Sequence, residues 1–516
     1  CLKGALNLCM QVLVTIQRAT LKIQNLAVLM ALVLCSSNAA ASFQTNELLQ
    51  ARIRLFEAWV ANVMDEQALK GLSVSLVQDQ QVVYTRGFGF ADVENQNRTT
   101  ADTTYRIGSV TKLFTSIALM QLVEAEKLSL DTPVIELVPE LEAIQANGYA
   151  LDEITIRSIL THTTGLPTNP NFLLDKQAVF EPLVRHAFLQ KLPGQRLLFQ
   201  PNRTHKYSNL GMNLGGLIVE RLTNLTYEQY LQEFVLAPLE MDKSGFPGEM
   251  DESQVVGYSR MLGGIRVGGD FPEMSRILGL PASGLLSSAS DLAKFLSWHF
   301  RTLSGDDETL LSLKTLAQMQ QVQWVPLPIE QNPAMASIAT FISNSLELGG
   351  TGFGYFRNKE FVMHGGGLMG FTAEFLMNNH NKLGIVALAN SIDAPLSFHH
   401  PQSLTKNLYD MVGTVAAAPA SANTKLRYAE YESVYSDGHN WSYYATEIDG
   451  KLVLLNLRDG SPLAEPAILT KVGEDRFVDL NHQGFYSGEF SVEFHRGASG
   501  EVDAVIVNTE KLYRRN

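Results

Sequence analysis

The hydrophobic period along this chain changes in a fixed order, and that order limits what the chain can fold into. Residues 69–93 alternate turn residues with β-branched and aromatic ones. Leu72-Ser-Val-Ser-Leu-Val77 and Gln81-Val-Val-Tyr-Thr85 read as two strands joined by a short polar turn. From residue 111 the period is helical: Leu113, Phe114, Ile117, Leu119, Leu122 and Val123 fall on or near one face of a helix over 111–127. A short helix over 154–161 ends at Gly165 and Pro167. Residues 209–236 read as largely helical, and Asp291 to Phe300 opens another helix with Ser290 as its cap. Strands return at 371–377 and 383–390. A strand pair, then many helices, then strands predicts an α+β domain built on an antiparallel sheet.

The pattern changes again near 411–425, where Val412-Gly-Thr-Val-Ala-Ala-Ala-Pro-Ala-Ser-Ala-Asn423 has the composition of a linker. Beyond it, short alternating strands are separated by turns. Tyr443-Tyr-Ala-Thr-Glu-Ile448, Asp449-Gly450 and Leu452-Val-Leu-Leu-Asn-Leu457 form a predicted hairpin. Ser491-Val-Glu-Phe-His495 and Val502 to Val507 continue the pattern. The division expected is a domain over 42–412, a linker over 413–425 and an all-β domain over 426–516, for which a small barrel is one closed form.

Before residue 42 the chain has a different character. Its three cysteines, Cys1, Cys9 and Cys35, all lie there, with Lys3, Arg18 and Lys22 and no acidic residue. The apolar run Asn25–Cys35 is too short to span a bilayer. Followed by Ser36-Ser-Asn-Ala-Ala-Ala41, it reads as a secretory signal peptide (residues 1–41) cut after Ala41, a short buried helix being the other reading. The protein is therefore expected in the periplasm or outside the cell. The remainder has no cysteine, which excludes a thiol nucleophile, a disulfide and a thiolate metal site. The net charge of −13 for the whole chain becomes −16 without the leader's three basic residues. That balance argues against nucleic acid as a partner, because phosphate binding needs many lysines and arginines. No later segment reaches 18 apolar residues, so no transmembrane helix is expected.

Three elements carry chemistry. Ser109-Val-Thr-Lys112 sits where extended Thr104–Ile107 turns into the 111–127 helix. Positions i and i+3 share a helix face, so the lysine amine can reach the serine hydroxyl. A serine nucleophile needs a base beside it, and a lysine of lowered pKa can serve. By itself the motif fits a helix cap with an exposed lysine equally well; Ser403-Leu-Thr-Lys406 has the same spacing and reads as a solvated turn. The second element, Tyr207-Ser-Asn209, lies 98 residues further on, just before a helix. A tyrosine near a lysine can pass a proton to a leaving group, and the asparagine amide can orient the lysine or hold a substrate carbonyl. The third, His364-Gly-Gly-Gly367, follows Glu360-Phe-Val-Met363, which reads as a strand. Its glycines would let a substrate lie against the backbone and leave an N–H free for an oxyanion.

In this order the three elements resemble those of the serine β-lactamase and penicillin-binding-protein superfamily, with Tyr207-Ser-Asn209 similar to its class C β-lactamase and D,D-peptidase branch. Gly87-Phe-Gly-Phe-Ala-Asp92, Leu160-Thr-His-Thr-Thr-Gly-Leu-Pro167 and Ser283-Gly-Leu-Leu-Ser-Ser-Ala-Ser-Asp-Leu-Ala293 resemble further segments of that family, so the likeness covers about residues 46–412. It implies a β-lactamase/transpeptidase-like domain, an antiparallel sheet flanked by helices with a helical subdomain. It also implies an acyl-enzyme route: Ser109 as nucleophile, Lys112 as base and Tyr207 as proton relay. The N–H groups of Ser109 and Gly367 would form the oxyanion hole. Asn209, His364, Gly365 and Gly366 would bind substrate.

The sequence departs from that pattern at one place. Where β-lactamases and D,D-carboxypeptidases usually carry Lys-Thr-Gly, this chain has His364 and Gly365, so the fixed charge and the hydroxyl that help bind a substrate carboxylate are missing. The expected activity is hydrolysis of an ester or amide, a D-residue peptide among the candidates. A D,D-carboxypeptidase or β-lactamase is the alternative, and a non-catalytic binding protein of this fold the alternative of another class. His162 reads as a hydrogen-bonded core residue and His399-His400 as an exposed loop. There is no His-Glu-x-x-His, no Gly-x-Ser-x-Gly and no phosphate-binding glycine loop, so neither a metal nor a cofactor is called for. The partner expected is a small-molecule or peptide substrate.

Overall fold

The computed structural model describes residues 47–515, apart from 170–185, 251–254, 260–264, 267–278, 326–347, 397–402, 417–425, 439–440, 484–488, 369 and 509. The predicted leader and the His399-His400 pair lie outside the described residues.

The predicted first hairpin forms, with longer strands: β1 (Gly71–Gln78) and β2 (Gln81–Asp92). Together with β3 (Asn97–Arg98), β4 (Leu348–Thr351), β5 (Phe356–Asn358), β6 (Val362–Leu368), β7 (Phe371–Asn378) and β8 (Leu383–Ala389) they make one eight-stranded sheet in the order β3-β2-β1-β8-β7-β6-β5-β4. Every pairing in it is antiparallel. The fold is α+β, as the order of periodicities predicts.

Side chains alternate across a strand, so each strand serves two faces. Leu72, Val74, Leu76, Ile385 and Ala387 join one buried cluster with helix α1 (Glu47–Glu66), while Val386, Leu388 and Phe375 join the larger cluster of the helical layer. Both faces are covered, which is why β8 is buried at every position. The helical layer contains α2 (Thr111–Glu124), α3 (Asn209–Thr223) and α4 (Ala289–Leu303), and their apolar residues fill that larger core.

Several boundaries differ from the sequence reading, each for a local reason. The 111–127 helix ends at Glu124, because Glu126 turns left-handed (φ 57°). The 154–161 helix is only Ile156–Leu160, opened by a reciprocal cap between Thr155 and Ser158. The 209–236 helix breaks after Thr223, where Asn224 takes φ 58°, and restarts behind a Thr226 cap. The cap of α4 is Ser288, whose Oγ accepts from Asp291 N–H at 3.1 Å; Ser290 instead donates to Asp102. Ser403-Leu-Thr-Lys406 is not a solvated turn. Ser403 is buried and its Oγ accepts from Lys406 N–H at 3.1 Å at the start of helix α5 (Leu404–Ala416), while Lys406 pairs outward with Asp410. That helix runs three residues past 413, where the linker was expected to begin.

The C-terminal strands form a closed barrel of eight, from Ser433–Ser436 to Glu510–Arg515. Its Asp449-Gly450 turn has φ 50° and 74° and joins Ile448 directly to Lys451, the primed hairpin the dipeptide predicts. Tyr435, Leu454, Phe477, Phe494 and Val505 fill the interior. Tyr444, Val453 and Leu455 face outward and pack with Phe56 and Trp59 of α1. A paired contact from Arg54 Nε and Nη2 to Glu432 (2.7 and 2.8 Å) and a bond from Trp59 Nε1 to Asp459 O (3.1 Å) fix that junction. The barrel therefore docks on the sheet face opposite the helical layer.

Candidate active site

Ser109 lies in a single tight turn, Gly108–Val110, directly ahead of α2. The chain enters that turn from Tyr105–Arg106, which pairs with Leu286–Ser287. Gly108 sits at φ 51°, and a Cβ there would lie 3.0 Å from the backbone N and O of Gly367. On the opposite side, a Cβ on Gly366 would lie 2.0 Å from Ile107 O and 3.2 Å from Ser109 N. The turn and β6 thus touch backbone to backbone, with no room for a side chain at either glycine. Strand β6 pairs with β7 along its length but with β5 only at Val362 and Met363. From His364 onward its outer edge is open, and the serine turn seats against it. The sequence placed the glycines just after a strand; they are part of the strand itself.

Lys112, one turn into the helix from Ser109, has no exposed surface. Its Nζ lies 3.0 Å from Ser109 Oγ and donates to Ala282 O at 2.7 Å. Burial without a carboxylate partner pushes its pKa well below the ordinary lysine value. The neutral amine is thereby favoured, and its lone pair can accept the Ser109 proton. Ala282 is a backbone acceptor and carries no sequence signal.

Tyr207 approaches from the extended segment before α3. Lys112 Nζ stands 4.8 Å from its ring centre. Burial raises the phenol pKa, opposed in part by a hydrogen bond with Ser109, so Tyr207 keeps its proton at neutral pH. Its ring packs between His162 (centroids 4.4 Å) and Phe356 (6.3 Å, nearly parallel). Phe356 was not singled out in the sequence, because only the fold brings β5 to Tyr207. His162 is the buried, hydrogen-bonded residue expected: its Nδ1 accepts from Ser208 N–H at 3.3 Å.

Asn209 opens α3. Its Nδ2 donates to Asn169 Oδ1 at 2.7 Å, and its buried Oδ1 has no partner among the described residues. No hydrogen bond joins it to Lys112, so of the two roles the sequence left open, orienting the lysine is not the one its side chain performs here. His364 is almost wholly buried, with Nδ1 2.7 Å from Gly365 O. A carbonyl only accepts, so Nδ1 carries the hydrogen and Nε2 is a bare acceptor; Nε2 has no partner among the described residues. Burial, and next the neighbouring Lys112, bring the His364 pKa down to about 3. The third element therefore presents no positive charge at neutral pH. Gly365 and Gly367 lie on the exposed side of β6.

Four buried histidines share this depression: His205 and His299 to about 4, His364 to about 3, and His162 well below its ordinary value, in every case chiefly by burial. Their unfolded value is near 6.5, so below that pH the unfolded chain takes up protons that the folded chain refuses. The stability present above pH 6.5 should be lost as pH falls toward 4, by on the order of 1 kcal/mol per histidine per pH unit. Urea midpoints compared at about pH 7.5 and about pH 5 check this; equal midpoints would refute it.

A helical layer against an antiparallel sheet, with a serine–lysine pair at a helix start beside an open strand edge, defines a β-lactamase/transpeptidase-like protein. The chain belongs to the beta-lactamase family, whose model matches residues 56–399. It is similar to protein flp of Staphylococcus aureus strain MW2, 27% identical over 329 residues that cover 62% of this chain and 60% of that protein. The chain thus spans about 60% of the length of the curated relatives it matches. Among solved structures it is similar to an octameric penicillin-binding protein homologue from Pyrococcus abyssi: TM-score 0.57 and 25% identity, covering 90% of this chain and 100% of that one. It also shares the fold of EstCE1, a hydrolase with promiscuous acyltransferase activity: TM-score 0.56 and 21% identity, over 70% and 99% of the two chains. No helix among the described residues is long and apolar enough to cross a membrane.

Proposed function

We propose that this protein is an exported serine hydrolase that cleaves an ester or amide bond, a D-residue peptide among its candidate substrates, through an acyl-enzyme on Ser109. The observation that carries the reading is the fully buried Lys112 amine 3.0 Å from Ser109 Oγ, with its pKa held down by burial. The leader-like residues 1–41 support a periplasmic or extracellular site of action.

In the first half-reaction Ser109 Oγ attacks the substrate carbonyl carbon and its proton passes to Lys112 Nζ. The carbonyl oxygen becomes an oxyanion in the cleft between the serine turn and β6, where the N–H groups of Ser109 and Gly367 receive it. Collapse breaks the bond to the leaving group. Tyr207 O–H supplies that group's proton and is reprotonated from Lys112. In the second half a water attacks the acyl carbon, its proton returning through the same pair, and the acid departs from Ser109. Asn209 and the edge of β6 at His364, Gly365 and Gly366 hold the acyl part.

The uncharged His364 favours esters and amides over β-lactams, whose carboxylate this position usually binds in the family. A turnover screen of p-nitrophenyl esters, D-amino-acid amides, a D-alanyl-D-alanine peptide and nitrocefin tests the reading. Esters or D-amides should be hydrolysed fastest. Faster turnover of nitrocefin or of the D-alanyl-D-alanine peptide would give the function to the β-lactamase or carboxypeptidase alternative.

A further inference from the structure

Lys206 immediately precedes Tyr207 in an extended segment, where successive side chains take opposite sides. His205 and Tyr207 both pack against His162, with ring centroids 6.0 and 4.4 Å from it. Lys206 points the other way, and its Nζ donates to Thr168 Oγ1 at 2.6 Å. The side chain is half-buried, and among the described residues no carboxylate pairs with it. The chain holds 53 acidic residues against 40 basic ones. Arg157 and Arg301, half-buried as well, are each paired with an acid. Desolvating a cation without a counter-charge costs free energy.

Thr168 and Asn169 connect this ammonium to the active site. Thr168 O accepts from Asn209 N–H at 2.8 Å, and Asn169 Oδ1 accepts from Asn209 Nδ2 at 2.7 Å. Thr168 thus links the Lys206 ammonium, through Oγ1, to the backbone of Asn209, through O, with Tyr207 between the two in the chain. Asn209 is itself 9% exposed, with its Oδ1 unpartnered among the described residues. A buried acceptor and a half-buried cation, neither matched by a donor or a carboxylate among the described residues, can hold two polar groups of one ligand. Across the cleft, His364 offers no charge.

We infer that Lys206 determines specificity by binding a carboxylate on the acyl part of the substrate, while Asn209 Oδ1 accepts a hydrogen bond from the same part. The inference rests on the reading of Ser109 as nucleophile. Two substrates separate it from that reading: the p-nitrophenyl ester of adipic acid with its far carboxylate free, and the same ester with that carboxylate methylated. The six-carbon chain keeps the free carboxylate from assisting hydrolysis through a five- or six-membered ring. The wild type should prefer the free acid in kcat/KM by about tenfold or more, the usual worth of a hydrogen bond to a charged group. Lys206→Met should abolish the preference by slowing only the free acid, and Lys206→Arg should keep most of it. Rising salt should weaken the preference in the wild type and leave Lys206→Met unaffected. Equal turnover of the two esters by the wild type would overturn the Lys206 assignment alone. So would an equal loss on both esters in Lys206→Met, which would mark a structural role. Failure of the wild type to hydrolyse either ester would overturn this inference together with the Ser109 reading.

Discussion

Replacing Lys112 by alanine should lower kcat by about 10²–10⁴-fold, the usual contribution of a general base, while the protein remains folded. The amine makes hydrogen-bond contacts with Ser109 Oγ and Ala282 O and stands 4.8 Å from the Tyr207 ring centre, and none of these holds the core together. Ser109 alone is a poor nucleophile at neutral pH, so losing its proton acceptor removes most of the chemical step. Alanine would also leave a cavity where the buried lysine stem packs. Lys112→Met fills much of that volume without a base and should show the same fall in rate with a smaller loss of stability. Turnover with a p-nitrophenyl ester, beside thermal melts of the three proteins, reads both effects. Unchanged turnover in either variant would remove the lysine from the mechanism. In the wild type, the rising limb of the kcat/KM profile should lie well below the ordinary lysine pKa of 10.5.

The second large effect is expected at a glycine. Gly366→Ala would place a methyl group 2.0 Å from Ile107 O, where only backbone stands in its way. The serine turn must then move off β6, parting the Ser109 N–H from the Gly367 N–H. Loss of one oxyanion donor costs about 10²–10³-fold in kcat, and forced overpacking about 1–3 kcal/mol in stability. Gly367→Ala is the contrast. Among the described residues a Cβ there meets only Ile392 Cδ1, at 3.6 Å, and the backbone N–H remains. That variant should stay within a few-fold of the wild type in rate. Equal behaviour of the two alanine variants would show that the close approach of turn and strand does not shape the oxyanion hole.

Signals that act over a few residues were legible in the sequence. Asp449-Gly450 predicted a hairpin because both positions need positive φ, and both adopt it. The i, i+3 spacing predicted that Lys112 could reach Ser109, and the two side chains meet. Where two local signals competed, the sequence misled. Ser290 and Ser288 both suit a helix cap, and tertiary position gave the role to Ser288. Asn224 suits a helix interior poorly and a left-handed end well, which divided the predicted 209–236 helix. Contacts between distant segments were not legible at all. Leu72 pairs with Ala389, and Arg54 with Glu432, across more than 300 residues. The same limit hid Ala282, Phe356 and Asn169, which reach the site only because sheet and helices bring them there. Asn209 was singled out for two roles, and only the fold showed its amide bonded to Asn169.

The central claim is that Ser109 is the residue that becomes acylated. Intact mass after treatment with a fluorophosphonate probe tests it most directly. The wild type should gain the mass of one phosphonyl group, with the modified peptide containing Ser109, and Ser109→Ala should gain none. Equal labelling of the wild type and Ser109→Ala would contradict the account.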